Sequence, residues 1–108
     1  MAGVEVAFNR IHDIGRNSLS DMAGIYAVGP QPGSVYNNNL VYNISCGGNG
    51  AHAFYIDQAC TGTTWSNNVG RLAQSALMHV NYGLNNTVVN NIFLAGDFIP
   101  GPGAWPCK

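Results

Sequence analysis

Apolar and polar positions along this chain alternate in short runs, and none of the runs has a helical period. Clusters of Gly, Pro and Asn separate the runs, as is typical of turns between short strands. Four segments are rich in strand-forming residues: 34–36, 40–44, 52–56 and 87–89. Residues 69–77 could also form a helical turn, but Gly70 and the shortness of the segment argue against a helix. The pattern therefore predicts an all-β chain.

Two sequence motifs recur along the chain and advance together. Asn-Asn before an apolar residue occurs at 38–40, 67–69 and 90–92, and a weaker copy with Phe in place of the first Asn begins at position 8. Gly-Ile-Tyr at 24–26 returns as Ala-Phe-Tyr at 53–55 and then as Leu-Met-His at 77–79. In both series the second step is shorter than the first by nearly the same amount. Because two different motifs keep the same spacing, the chain is predicted to be a repeat array of about three and a half units.

Repeats of this length with several short strands are typical of a parallel β-helix, in which one repeat forms one coil. We predict a right-handed, single-stranded solenoid of three to four coils, with the hand taken from the general preference of parallel crossovers. Residues 1–97 are assigned to the coils. Residues 98–108 form a Pro- and Gly-rich tail that could cap the last coil, with Trp105 covering apolar surface.

The repeat alignment places residues in columns that run along the stack of coils. One column is a predicted hydrogen-bonded ladder of asparagines at sharp turns: Asn9, Asn39, Asn68 and Asn91. Two columns are predicted to fill the interior: Ile11, Val41 and Phe93, flanked by Ile14 and Ile44, and then Ile25, Phe54 and Met78.

A polar and aromatic strip is predicted on the exterior. The alignment puts Tyr26, Tyr55 and His79 in one column, next to the inward-facing one. Asp57 and Asn81 follow two residues later and share that outer face, because side chains alternate along a strand. Asp21 enters from the loop before the first of these strands. Aromatic faces beside hydrogen-bonding groups suit a sugar chain.

Composition excludes several other functions. The 108 residues carry a net charge of −1, only 8% are charged, and the 14 Asn supply much of the polarity, which fits one neutral domain. Four basic residues, Arg10, Arg16, Arg71 and Lys108, give no footprint for nucleic acid or an acidic membrane surface. No apolar run is long enough to span a bilayer, and residues 1–20 contain no signal peptide.

The cysteines and histidines give no sign of a metal site or a cofactor. Cys46 and Cys60 could form a bridge that leaves Cys107 unpaired, but free thiols are favoured because the scaffold needs no crosslink. His12 and His52 are interpreted as solvated turn or strand positions, and no His/Cys spacing supports structural zinc.

Residues 8–95 resemble the right-handed parallel β-helix proteins with a pectin-lyase-like fold, in their carbohydrate-active branch. The resemblance lies in residues 21–26 (DMAGIY), 54–57 (FYID) and 79–86 (HVNYGLNN). The chain departs from the pattern at Gln58, where members often carry an acidic residue, and at Asn81, where they often carry histidine. The resemblance implies that the chain is a short member, or a fragment of a member, of a family whose proteins are often secreted. The location of this chain stays open.

The resemblance implies a carbohydrate-directed module, a polysaccharide hydrolase or lyase or part of one. Catalytic candidates are His79 as acid or base, Asp57 as its partner, Tyr55 as proton donor, and Asp21 as the second carboxyl group. Tyr26, Asn81 and Tyr82 are the candidates for contacting a polysaccharide or oligosaccharide. The absence of Arg and Lys from the strip counts against a lyase acting on an acidic polymer. A non-catalytic glycan-binding module and a structural piece of an assembly remain alternatives.

The first residues read as another strand rather than as a cap. An uncapped coil exposes backbone groups that can pair with a second chain, so a homodimer through the N-terminal end is expected.

Overall fold

The computed structural model describes residues 2–16 and 18–96, and every regular element in these two ranges is a β-strand. In chain order the strands are β1 (Glu5–Ala7), β2 (Arg10–Ile14), β3 (Met22–Ala27), β4 (Val35–Asn37), β5 (Leu40–Ile44), β6 (Ala51–Ile56), β7 (Thr64–Ser66), β8 (Val69–Ala73), β9 (Met78–Val80), β10 (Thr87–Val89) and β11 (Ile92–Leu94). No described segment is a helix that could cross a membrane. The predicted tail at 98–108 lies outside the described residues.

The strands form three parallel sheets. Sheet A has the order β1-β4-β7-β10, sheet B the order β2-β5-β8-β11, and sheet C the order β3-β6-β9. The described chain therefore visits A, B and C in the same order three times and then adds one strand each to A and B. This all-β arrangement is compatible with a β-helix or solenoid of three to four coils.

The strand register follows the spacing of the sequence motifs. In sheet B, Leu40 pairs with Val69 and Val69 with Ile92, and each of these residues directly follows an Asn-Asn pair. In sheet C, Ile25 pairs with Phe54 and Phe54 with Met78, the middle residues of the second motif and its copies. The repeat alignment is confirmed.

The connections between sheets differ in length from corner to corner. The corner from sheet A to sheet B has two residues in each of the four described cases. The corner from sheet B to sheet C has seven residues, then six, then four. The third strand of sheet C, β9, also begins later in the register than β3 and β6. The shorter third repeat therefore arises mainly where the chain passes from sheet B into sheet C.

The asparagine ladder occupies the short A-to-B corner, as predicted. Asn39 donates from Nδ2 to Oδ1 of Asn68 at 3.0 Å, and Asn68 donates in the same way to Asn91 at 3.0 Å. The residue before each ladder asparagine takes the left-handed backbone conformation, with φ of 58° at Phe8, 55° at Asn38 and Asn67, and 57° at Asn90. At each of these corners the first residue therefore makes the turn, and the second residue, an asparagine, forms the ladder.

The interior holds the predicted apolar columns. Val41, Ile44 and Phe54 are fully buried, and Trp65 stacks on Tyr36 with ring centroids 4.0 Å apart. Gly70 occupies the column of Val41 in the next coil, where a Cβ atom would lie 3.0 Å from the Phe54 ring. The glycine that argues against a helix in this segment therefore makes room for a core aromatic residue.

The prediction of free thiols is confirmed at Cys60 and needs correction at Cys46. Cys46 is disulfide-bonded and Cys60 is free and buried. A bridge between Cys46 and Cys60 is wrong, and so is a free thiol at Cys46. The two residues lie on opposite ends of β6, whose six residues span about 20 Å, far beyond the reach of a disulfide. The prediction for Cys107 lies outside the described residues.

Candidate functional site

Sheet C brings aromatic side chains from three successive strands together on its outer side. Tyr26 pairs with Tyr55, and Tyr55 pairs with His79, as the repeat alignment predicts. The Tyr26 and Tyr55 rings meet edge to face with centroids 4.9 Å apart, and the Tyr55 and His79 rings do so at 4.8 Å. With Asp21, His52, Asp57 and Asn81, these residues form what we call the sheet C cluster.

Asp57 is the acceptor at the centre of this cluster. Its Oδ2 accepts a hydrogen bond from the Tyr26 hydroxyl, and its Oδ1 accepts one from Nδ2 of Asn81 at 2.8 Å. The Tyr26 hydrogen bond, aided by Asn81, lowers the pKa of Asp57, and the same bond raises the pKa of Tyr26 to about 12. At neutral pH the site therefore holds a carboxylate beside a protonated phenol.

Tyr55 links the two predicted carboxyl groups. Its hydroxyl donates to Oδ1 of Asp21 at 3.3 Å, and it also helps to lower the pKa of Asp57. Burial raises the pKa of Tyr55, so its hydroxyl stays protonated and remains a donor. The Tyr55 hydroxyl thus hydrogen-bonds to Asp21 and contributes a little to the low pKa of Asp57.

Two residues of the predicted exterior strip are less accessible than expected. Tyr55 is 4% exposed and Asp57 is 7% exposed, whereas Tyr26 remains 43% exposed. The Tyr26, His52 and His79 rings all pack on Tyr55. A side chain on the outer side of a coil is buried here because its neighbours cover it.

His52 belongs to the cluster, and its interpretation as a solvated position is wrong. It is 7% exposed, and its ring stacks on His79 with centroids 4.4 Å apart and planes within 7°. Burial, with a smaller contribution from His79, lowers the pKa of His52 to about 4. Its buried Nδ1 has no hydrogen-bond partner among the described residues. A neutral imidazole therefore lies beneath His79 at neutral pH.

If β6 alternated strictly, His52 would face away from Tyr55, so the sequence pattern alone does not place His52 in the cluster. Ala53 and Phe54 are adjacent, yet both belong to the buried core. The alternation is therefore interrupted, and His52 and Tyr55 reach the same side although they are three residues apart. The sequence carries one signal for this interruption, which is a small residue at the position of Ala53 and at the matching position of the preceding coil. That matching residue is Gly24, where a Cβ atom would lie 2.3 Å from Val41.

The remaining predicted residues lie at the edge of the cluster. Asn81 is half-buried against Asp57, and Asp21 is exposed in the connection before β3. Tyr82 is 82% exposed, in the turn after β9. Nowhere in residues 2–16 and 18–96 do three His, Cys, Asp or Glu side chains group in a way that could hold a metal ion.

Comparisons of the chain with protein-family models, with curated proteins and with solved structures find no match. The chemistry of the cluster must therefore be judged from its own geometry.

Proposed function

We propose that this chain is a short, right-handed parallel β-helix of the pectin-lyase-like type whose sheet C cluster binds a carbohydrate. The parallel pairing of all three sheets and the asparagine ladder support the β-helix. The general preference of parallel crossovers supports the right hand. The observation that carries the binding proposal is the Tyr26 ring, 43% exposed, whose hydroxyl donates to Asp57 and which packs edge to face with Tyr55, itself a donor to Asp21.

The accessible groups of the cluster match the chemistry of a sugar. Tyr26 and Tyr82 offer aromatic surface to the apolar face of a pyranose ring, while their hydroxyls stay polar. Asp21 offers carboxylate acceptors, and His79 and Asn81 offer both donors and acceptors to sugar hydroxyls. The buried members, Tyr55 and Asp57, support this surface from below.

Hydrolysis of the bound sugar is the second candidate, because the sheet C cluster contains two carboxyl groups, Asp21 and Asp57. Glycosidases use a pair of carboxyl groups about 5 to 10 Å apart. Because its pKa is lowered, the buried Asp57 carboxylate suits the charge-stabilising role, beneath the groups that touch the sugar. Asp21 or His79 would then supply the proton, and the Tyr55 hydroxyl would orient Asp21.

A lyase acting on an acidic polymer has less support. Such a reaction needs a cation to neutralise the uronate beside the base, and no described Arg or Lys makes a hydrogen bond or ring contact with the sheet C cluster.

The expected homodimer stays a prediction; light scattering at micromolar concentration tests it.

Calorimetric titration with neutral oligosaccharides tests the binding proposal. Tyr26→Ala should weaken binding by about tenfold. The matched control is Phe8→Asn, which removes an aromatic residue that is 80% exposed in sheet A's first corner. Equal binding by the two variants contradicts the proposal, as does the absence of any binding by the unaltered chain.

Turnover assays separate a hydrolase from a binder. A hydrolase should lose turnover in Asp57→Asn and in Asp21→Asn while retaining oligosaccharide binding. A binder shows affinity without turnover in the unaltered chain. A chain that shows neither is a structural piece, and the carbohydrate proposal is then wrong.

A further inference from the structure

A second ring stack lies on the outer side of sheet B. His12 pairs with Tyr42, and Tyr42 pairs with Arg71, so three successive coils contribute one residue each. The His12 ring is parallel to the Tyr42 ring, with centroids 5.0 Å apart. The guanidinium carbon of Arg71 lies 5.2 Å from the centre of the Tyr42 ring. Tyr42 is thus bracketed by an imidazole and a guanidinium group.

Tyr42 also holds a second arginine. Arg10 donates from Nε and from Nη2 to the Tyr42 hydroxyl, at 3.0 Å and 2.6 Å. Its guanidinium carbon lies 5.5 Å from the ring centre. Two guanidinium groups, from strands β2 and β8, therefore lie within about 11 Å of each other around one ring.

Neither of these two arginines has a carboxylate partner among the described residues. Within that part of the chain, the ion pair is between His12 and Asp13, at 2.5 Å. A guanidinium group carries five N–H donors, and the Tyr42 hydroxyl uses only two of those on Arg10. Both arginines are exposed, so their remaining donors face solvent.

Asp13 lies on the same strand as Arg10 and His12, and it is already engaged. It accepts hydrogen bonds from His12 and Asn43, and those contacts lower its pKa. Arg16 lies close enough to contribute to the same effect. Asp21 and Asp57, by contrast, lie in the sheet C cluster. The charge left over on the outer side of sheet B is positive.

We infer that the surface formed by Arg10, Tyr42 and Arg71 binds an anionic group, a carboxylate or a sulfate ester, on an acidic glycan. Planar guanidinium groups match the paired oxygens of such groups. This inference extends the proposed function, since it adds a second, charged contact surface for a glycan on another sheet.

The neighbouring column favours a glycan over a nucleic acid. Leu40, Val69 and Ile92 lie in register beside the ring stack, and Ile92 is 56% exposed, which offers apolar surface to sugar C–H groups. Single-stranded nucleic acid needs open aromatic faces for base stacking. Both sides of the Tyr42 ring are already occupied by His12 and Arg71.

Titration with dextran sulfate and with dextran of equal length tests the inference. Dextran sulfate should bind and dextran should not bind to this surface. Chondroitin sulfate and hyaluronan form a second pair that compares sulfate with carboxylate as the anionic group. Arg71→Gln and Arg10→Gln should each weaken dextran sulfate binding by about tenfold, and added salt should weaken binding by the unaltered chain.

Arg16→Gln is the matched control, because it removes the same charge from a residue outside the Tyr42 stack. A loss in Arg16→Gln equal to that in Arg71→Gln would overturn the inference in favour of general charge attraction. Single-stranded DNA that binds as tightly as dextran sulfate would also overturn it. Arg71→Gln should leave the binding of neutral oligosaccharides unchanged, whereas Tyr26→Ala should weaken it, so failure of the sheet C proposal is distinguishable from failure of this one.

Discussion

Sheets B and C both stack rings on their outer sides, but the tyrosine hydroxyls of sheet C donate within their cluster, whereas donors of the sheet B stack are left in solvent. In both sheets, successive coils stack rings in one column: His12 on Tyr42 in sheet B, and Tyr26, Tyr55 and His79 in sheet C. The sheet C cluster directs its donors to its own carboxylates and has a buried centre of His52, Tyr55 and Asp57. The sheet B stack leaves arginine donors in solvent.

The direction in which the central strand departs from alternation distinguishes the two sheets. In strand β5, Val41 and Ile44 are both buried and the two adjacent residues between them, Tyr42 and Asn43, are not. Strand β6 interrupts its alternation at Ala53 and Phe54, so His52 and Tyr55 both reach the outer side, and all six of its residues are buried. A break that turns two adjacent residues inward, as in β6, thus brings two rings to the outer side and packs them together.

The largest expected difference between the two surfaces is in stability. Tyr55→Ala should lower the free energy of unfolding by about 3 kcal/mol, because it leaves a cavity among three packed rings. Tyr42→Ala should cost about 1 kcal/mol, because Tyr42 is only half-buried. Urea denaturation measures both values. Equal losses in the two variants would contradict the contrast between a buried and an exposed column.

The next effect is a pH dependence that belongs to sheet C alone. The pKa of His52 is about 4 in the folded chain against a reference value of 6.5, so the unfolded chain binds the proton more readily between these values. Stability is therefore full above pH 6.5 and falls as the pH drops towards 4, by about 2 kcal/mol at pH 5.

Denaturation series at pH 8 and pH 5 measure this loss. His52→Gln should remove most of it, whereas His12→Gln in the exposed sheet B stack should leave it in place. The pKa values of Asp13 and Asp57 are lowered, so their contribution to stability is lost only below pH 3.8. Their titration therefore does not affect the comparison between pH 8 and pH 5. A loss unaffected by His52→Gln would show that another group carries the proton.

The smallest effect concerns a single hydroxyl group. Tyr26→Phe removes the donor to Asp57, so the pKa of Asp57 should rise and stability should fall by about 1 kcal/mol. Carboxyl titration by NMR follows the pKa directly. The Asp13 carboxyl, which contacts His12 and Asn43 instead, is the internal control and should titrate unchanged.

Much of the fold could be predicted from the sequence because the repeats specify it. The unequal steps between successive Asn pairs give the strand register, and one alignment gives the ladder and the interior columns. The same alignment places Tyr26, Tyr55 and His79 together. Register is thus readable wherever a recurring motif marks the same point in each coil.

The rest depended on packing that periodicity does not encode. His52 was missed because alternation puts it and Tyr55 on opposite sides of a regular strand. The burial of Tyr55 and Asp57 depends on which neighbours cover them. The sheet B stack was accessible in principle, since His12, Tyr42 and Arg71 each follow a ladder asparagine by three positions. The Arg10 contact depends on a side chain reaching across to the next coil.

The corners between sheets differ in how far their length varies along the chain. The A-to-B corner keeps two residues in all four described cases, because a longer connection would displace the asparagine ladder. The B-to-C corner already differs by three residues between its longest and shortest examples. Insertions are therefore tolerated at the second corner, and the longest example there supplies Asp21 to the sheet C cluster. Evolution, or a designer grafting a loop, can change the residues beside the sheet C cluster while the asparagine ladder stays fixed.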